Sequence, residues 1–351
     1  MHPPVLRRLR CATLILPLLA AAPWAVPATD WRAELRQRIE RLDRDTPGVL
    51  GVYVKRLDVN ESFGHGADRL WYLGSSAKVP IAIAVLRQVD AGKLSLDTQL
   101  AVQEQDRIDG PGELVWARPG TRYTVDSLLT RMLGVSDNTA ANLLVRTVGE
   151  DALNAVAKDL LGPGFVRLTS LTQVRREVYA QLHPDAARLP NRVLVSIAAA
   201  EMGPARVEAV RRALGVPVSA LKVRTIGEAY DRYYQLRLNS ATLQGYGGML
   251  EQLVRGRLLK PDSTRRLFGY MKFGRRGDYR LEGGIPREPI IHKTGTQHRT
   301  ACHMLVVNPQ DGGARAIVIA TCAADMDDVK DAGGIFRRVG EAVSAVALGR
   351  P

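Results

Sequence analysis

The sequence predicts an α+β fold: an antiparallel sheet formed by both chain ends with flanking helices, plus an inserted all-helical lobe. Three observations predict it. An alternating run rich in Val and Tyr, residues 49–57, stands near the front of the chain. Three runs of similar character, residues 290–296, 301–308 and 315–322, stand near its end. Between them the apolar residues recur at helical rather than strand spacing. Sequence-distant strands joined by helices fit a sheet closed by both termini around an inserted lobe.

The elements follow in order. From Asp30 to Asp43, Leu35, Ile39 and Leu42 mark one face of a helix. The strand at 49–57 turns at Asp58-Val59-Asn60-Glu61 into a second short strand. Leu73-Gly74 leads into a helix over 75–89, ended by Gly92 and apolar all round, hence buried. Further helices are expected over 125–133, 138–148, 225–234 and 242–255. From 162 to 222 the pattern is irregular, interrupted by Pro163, Pro184, Pro190, Pro204 and Pro217. Pro309-Gln310-Asp311-Gly312-Gly313 joins the last two strands, and Asp325, Asp327 and Asp328 open a C-terminal helix running to about Leu348. The expected organisation is a 1–28 leader, a sheet domain from 29–73 and 225–351, and a helical lobe over 74–224 with an enlarged Ω-type loop region at 162–222.

At 351 residues, 46% hydrophobic and 24% charged, the chain has material for a large core or two lobes sharing a cleft. Arg7, Arg8 and Arg10, a short apolar core from Leu14 to Ala22, and Val26-Pro27-Ala28 read as a cleaved secretory signal. Export to the periplasm or medium, without stable membrane insertion, is the expectation. Cleavage reduces the net charge of +13 to about +10. The basic residues are scattered without an aromatic-interleaved tract, which argues against nucleic acid. Cys302 and Cys322 each lie ten residues from Gly312, so either a cross-strand disulfide or two buried thiols fits. Neither has the company of a zinc site.

Three short strings carry the chemistry: Ser75-Ser76-Ala77-Lys78, Ser136-Asp137-Asn138 and Lys293-Thr294-Gly295-Thr296. Each alone is weak; a second S-x-x-K occurs at Ser219 to Lys222, and Ser75 or Asp137 could simply cap a helix. A serine hydroxyl becomes a nucleophile only when a base takes its proton, and a desolvated lysine one turn away can serve.

Together and in this order the strings resemble the motif set of class A β-lactamases and penicillin-binding proteins. Leu50-Gly51-Val52-Tyr53 is similar to that family's first strand, and 136–144 to its longer S-D-N helix. The resemblance implies the serine β-lactamase/transpeptidase fold and covers nearly the whole mature chain, most weakly at 162–222. It implies Ser75 as nucleophile, Lys78 as base, Ser136 as proton donor to the leaving nitrogen, and Asn138 as holder of substrate and of Lys78. Lys293 would supply a positive charge, the Thr294 hydroxyl a carboxylate contact and Gly295 room for the substrate, and Thr296 N–H would share the oxyanion hole with Ser75 N–H. Arg175-Arg176-Glu177-Val178-Tyr179-Ala180-Gln181 resembles the family's R-x-E-x-x-x-N loop, with Gln181 for asparagine. That makes Glu177 the expected water-activating base, with Asp185 and Glu201 as alternatives, and Arg299 a candidate carboxylate partner. His292 and His298 read as ordinary polar residues. The expected function is a monomeric class A-like β-lactamase needing no cofactor or metal. A D,D-peptidase acting on peptidoglycan peptides, or a non-catalytic binder of cell-wall fragments, is the alternative.

Overall fold

The structure, a computed structural model, describes residues 1, 30–271, 280–285 and 288–348; the expected signal segment lies outside the described residues. In chain order the elements are α1 (Trp31–Arg44), β1 (Val49–Arg56), β2 (Glu61–His65), β3 (Leu70–Tyr72), α2 (Lys78–Asp90), β4 (Gln99–Ala101), β5 (Arg122–Thr124), α3 (Val125–Gly134), α4 (Asn138–Val148), α5 (Glu150–Leu161) and α6 (Leu171–Leu182). They continue with α7 (Asn191–Ala198), α8 (Pro204–Leu214), α9 (Ile226–Gln235), β6 (Ser240–Thr242), α10 (Leu243–Val254), α11 (Pro261–Met271), β7 (Ile290–Gln297), β8 (Thr300–Val307), β9 (Ile317–Ala324) and α12 (Asp331–Ala347).

One five-stranded antiparallel sheet, ordered β2-β1-β9-β8-β7, joins the two chain ends as expected. Alternation along its strands feeds two cores. On one face Ile291, Met304, Val306, Val318 and Ala320 pack with α2, α4, α5 and α10. On the other Leu50, Val52, Leu305, Ile317 and Ile319 pack beneath α1 and α12. Asp30 caps α1, its carboxylate accepting from Arg32 N–H. Helix α2 is buried from Lys78 to Leu86, matching its all-round apolar sequence. Cys302 and Cys322 lie directly opposite each other on β8 and β9 and form a disulfide.

The irregular stretch differs from the expectation of a long Ω-type loop. It folds as α6, α7 and α8, which with α9 enclose a third core of Val178, Tyr179, Leu194, Val210, Tyr230 and Tyr233. Pro163 lies in the turn after α5, and the other four prolines that interrupt the pattern sit at element starts, among them Pro190 before α7 and Pro204 as the first residue of α8. A ring without an N–H costs nothing there. No helix among the described residues is long and apolar enough to cross a membrane.

Candidate active site

The first motif lies on a 3-10 turn, Gly74–Ala77, that runs into α2. Its geometry depends on two glycines. Gly74 has φ +52°, and a Cβ there would stand 2.8 Å from the Thr296 nitrogen; one on Gly295 would stand 2.0 Å from the Leu73 carbonyl oxygen. Only glycine lets the nucleophile turn and the end of β7 approach so closely. The amides of Ser75 and Thr296 are thus carried on two segments pressed together.

Lys78 is 1% exposed and its Nζ is surrounded by four oxygens. Ser136 O and Asn138 Oδ1 lie at 2.6 Å, Ser136 Oγ at 3.1 Å and Ser75 Oγ at 3.2 Å. Two of these are carbonyl oxygens that can only accept; the two hydroxyls can donate as well. A neutral amine satisfies the set: two N–H bonds to the carbonyls, and a lone pair for a serine hydrogen. Burial, then the neighbouring Lys293, pushes the Lys78 pKa well below its ordinary value, with Asp137 opposing.

The second motif forms the turn between α3 and α4. Ser136 has φ +61°, an uncommon conformation for serine that turns its carbonyl and hydroxyl toward Lys78. Asp137 caps α4 by accepting from Ala140 N–H, and also accepts from Leu114 N–H. Capping and site-building are therefore one arrangement. The Asn138 amide orients Lys78 through Oδ1 and donates from Nδ2 to Asp109 O at 2.7 Å, leaving one N–H for a substrate carbonyl. Lys293 Nζ donates to Ser136 Oγ at 3.1 Å and to Thr294 O at 2.9 Å. Burial, with Arg280 nearby, lowers the Lys293 pKa to about 7. Ser75, Lys78, Ser136 and Lys293 thus form one unbroken hydrogen-bonded chain.

A cleft of about 200 Å³ opens onto Ser75, Ser136, Asn138, Thr294 and Thr296. Its remaining walls include Tyr72, Gly110, Leu171, Arg175 and Gln297, and among the described residues no carboxylate lines it. Glu177 stands elsewhere than expected: it is not among the described lining residues, its carboxylate accepts from the Gln173 side chain at 2.7 Å, and Gln181 donates to its main-chain oxygen. The cause is helical register. The start of α6 is pinned to α4, with Asn142 accepting from Leu171 N–H and donating to the Thr172 hydroxyl. At roughly 3.6 residues per turn, Leu171 and Arg175 then share the cleft face, and Glu177 lies about 160° round the helix from Arg175.

Other expectations are also relocated. Arg299 stands in the β7–β8 turn and pairs with Asp231 and Asp325, away from the cleft. The second S-x-x-K is exposed on the link between α8 and α9.

Two arginines escaped notice as functional residues. Arg175 grips Asp109 with contacts of 2.6, 2.9 and 3.1 Å and donates to the Tyr230 hydroxyl, so it fixes the loop that Asn138 leans on. Arg280 is buried behind β7, donating to Thr296 Oγ1 at 2.8 Å and to Cys302 O at 3.1 Å. The R-x-E string pointed at Arg175 without giving its role; no pattern pointed at Arg280.

Behind Lys293, Glu282, His292 and His303 bring three potential metal-ligand atoms together. His292 Nδ1 lies 2.9 Å from Glu282 Oε1 and 3.0 Å from His303 Nε2. The donor set does not suit a cation. Leu281 N–H donates to His303 Nδ1, which keeps the hydrogen of the neutral ring on Nε2, the atom a metal would need. Burial, then the charges of His292, Arg280 and Lys293, also hold the His303 pKa well below its usual value. The cluster is a buried hydrogen-bonded support for β7 and β8.

Comparison with known proteins agrees with this fold. A solved structure of PBP-A superposes with a TM-score of 0.66 at 19% identity, covering 90% of this chain and 97% of that one. A β-lactamase from Sphaerobacter thermophilus gives 0.66 at 20% identity, covering 92% and 100%. Among curated relatives, a Mycobacterium tuberculosis β-lactamase is 26% identical over 265 residues, 75% of this chain and 69% of the relative. A Rhodobacter capsulatus β-lactamase is 30% identical over 115 residues, which is 33% of this chain and only 39% of that relative's length. The sequence profile of the β-lactamase enzyme family matches residues 34–347, and the chain belongs to that family.

Proposed function

We propose that the mature, exported chain is a penicillin-binding type of serine hydrolase. In this reading it is acylated at Ser75 by β-lactams and by D-alanyl peptides of the cell wall, and the β-lactam adduct is released slowly. The observation that carries the reading is the cleft itself: a complete proton chain around Ser75 and, among the described lining residues, no carboxylate.

The neutral Lys78 amine takes the Ser75 hydrogen as Oγ bonds to the substrate carbonyl carbon. The oxyanion accepts from the amides of Ser75 and Thr296. As the C–N bond breaks, Ser136 gives its hydroxyl hydrogen to the nitrogen and is resupplied from Lys78, with Lys293 holding the hydroxyl in place. A D-alanine leaves and diffuses away; in its place a water gives a hydrogen to the Lys78 amine, neutral again after acylation, and opens the peptidyl ester, and Lys78 returns the hydrogen to Ser75 Oγ. An opened lactam stays tethered beside its own nitrogen, and without a carboxylate to activate water its ester persists.

The alternative, steady class A-like hydrolysis of β-lactams, is favoured by the names of the curated relatives. It requires a water activator other than Glu177 as α6 now stands. Intact mass spectrometry with benzylpenicillin, alongside nitrocefin turnover, decides between them. A stoichiometric adduct lasting many minutes without steady turnover supports the proposal. Rapid nitrocefin turnover refutes slow release, and absence of any adduct refutes the acylation chemistry.

A further inference from the structure

A second cavity, of about 680 Å³, adjoins the catalytic cleft. Tyr72 forms part of both walls; Gln297 lines the cleft, and Arg299, two residues on, lines the cavity. Gln297 ends β7 and Arg299 lies in the tight turn that pairs Gln297 with Thr300, so a peptide leaving the cleft past Tyr72 and this turn reaches the cavity.

Its lining is chemically selective. Asp231 and Asp325 are both taken up by Arg299, at 3.5 and 3.3 Å. Arg69 and Arg237 line the same cavity with no further acid among the lining residues to neutralise them. Arg69 lies over the Trp71 ring, 5.1 Å from its centroid, which holds the guanidinium at the wall. Arg237 enters no ion pair among the described residues. It follows the end of α9 in the left-handed region, with φ +57°. Glycine is the usual residue at that position because it adopts the conformation without penalty. An arginine there costs stability, so what it contributes has to be sought in its charge.

We propose that this cavity is a second substrate subsite, in which Arg237 and Arg69 bind the carboxylates of an acidic peptide whose D-alanyl end occupies the Ser75 cleft. The subsite rests on the peptidase reading and names its substrate class: an oligopeptide carrying free carboxylates a few residues before its D-alanyl terminus. The ligand passes Tyr72 and Gln297, and its carboxylates accept from the two guanidinium groups.

The test is fluorescence anisotropy of the mature protein with a labelled acidic peptide ending in two D-alanines. A control peptide has its side-chain carboxylates converted to carboxamides. Wild type should bind the acidic peptide about tenfold more tightly than the control. Arg237→Gly should abolish most of that preference without lowering Tm, because glycine suits the backbone at this position. Arg69→Gln should reduce the preference as well. A wild type without preference overturns the subsite, as does a preference surviving in Arg237→Gly. Fluorescent penicillin labelling of wild type at Ser75 is read separately, and its failure would count against the peptidase reading rather than against anion binding.

Discussion

Replacing Lys78 by Met removes the amine while keeping most of the buried volume, and it separates two quantities the structure places on one side chain. The loss of a positioned general base lowers acylation by about 100- to 10,000-fold, or roughly 3–5 kcal/mol of transition-state stabilisation. The effect on stability is smaller because two terms oppose. Ser136 O and Asn138 Oδ1 lose their donor, at about 1–3 kcal/mol for each buried acceptor left unpaired. In return the burial penalty that depresses the Lys78 pKa disappears. The pH dependence has a definite sign. The unfolded chain keeps this lysine protonated up to about pH 10.4, whereas the folded chain releases the proton earlier. Stability therefore rises with pH between the folded and unfolded pKa values. The neutral amine, and with it acylation, is lost as pH falls through the folded value. Stopped-flow labelling with a fluorescent penicillin across pH 5–9, a range chosen around neutrality, gives the comparison. Wild type should show an acid limb, and Lys78→Met should be slow without it. A variant acylated at the wild-type rate, or keeping the limb, refutes Lys78 as the base.

Other outcomes follow from neighbouring contacts. Glu177→Ala should leave the lifetime of the benzylpenicillin adduct unchanged by mass spectrometry, because its carboxylate is held by Gln173 rather than facing the cleft. Leu171→Glu places a carboxylate on the cleft wall and should shorten that lifetime. Gly295→Ala pushes a methyl against the Leu73 carbonyl, and should lower Tm by an amount equivalent to about 1–3 kcal/mol and slow labelling of Ser75. Arg175→Ala leaves Asp109 without its guanidinium partner; it should destabilise by roughly 3 kcal/mol in urea unfolding, with slower acylation because the loop carrying Asp109 O no longer steadies Asn138.

The sequence made some of this architecture readable and hid the rest for identifiable reasons. Helix α4 and its N-terminal turn were visible because Ser136-Asp137-Asn138 combines a cap with helical apolar spacing. The sheet was visible because β1 alternates around Val and Tyr and β8 and β9 carry apolar runs bounded by turns. The helices α6 to α8 were obscured by prolines that start elements rather than end them. Glu177 is implied by the resemblance of its string to the family's loop, but which way a helical residue faces depends on the register that Asn142 imposes on Leu171 and Thr172. Arg175 stands in the same string, but its partner Asp109 lies 66 residues away and its spacing does not point there. Arg280 is recruited by tertiary packing alone, from a 3-10 turn outside the strand it supports.

The bond between Cys302 and Cys322 closes a loop of 20 residues between neighbouring strands, and each cysteine is 1% exposed. Such a staple removes about 3 kcal/mol worth of freedom from the denatured chain. A thiolate reductant reaches it only when β8 and β9 part, which also dismantles the rear support of Lys293. Resistance to reduction therefore reports sheet opening: the interval before a thiol reagent cuts this bond is a clock for the lifetime of the folded catalytic wall.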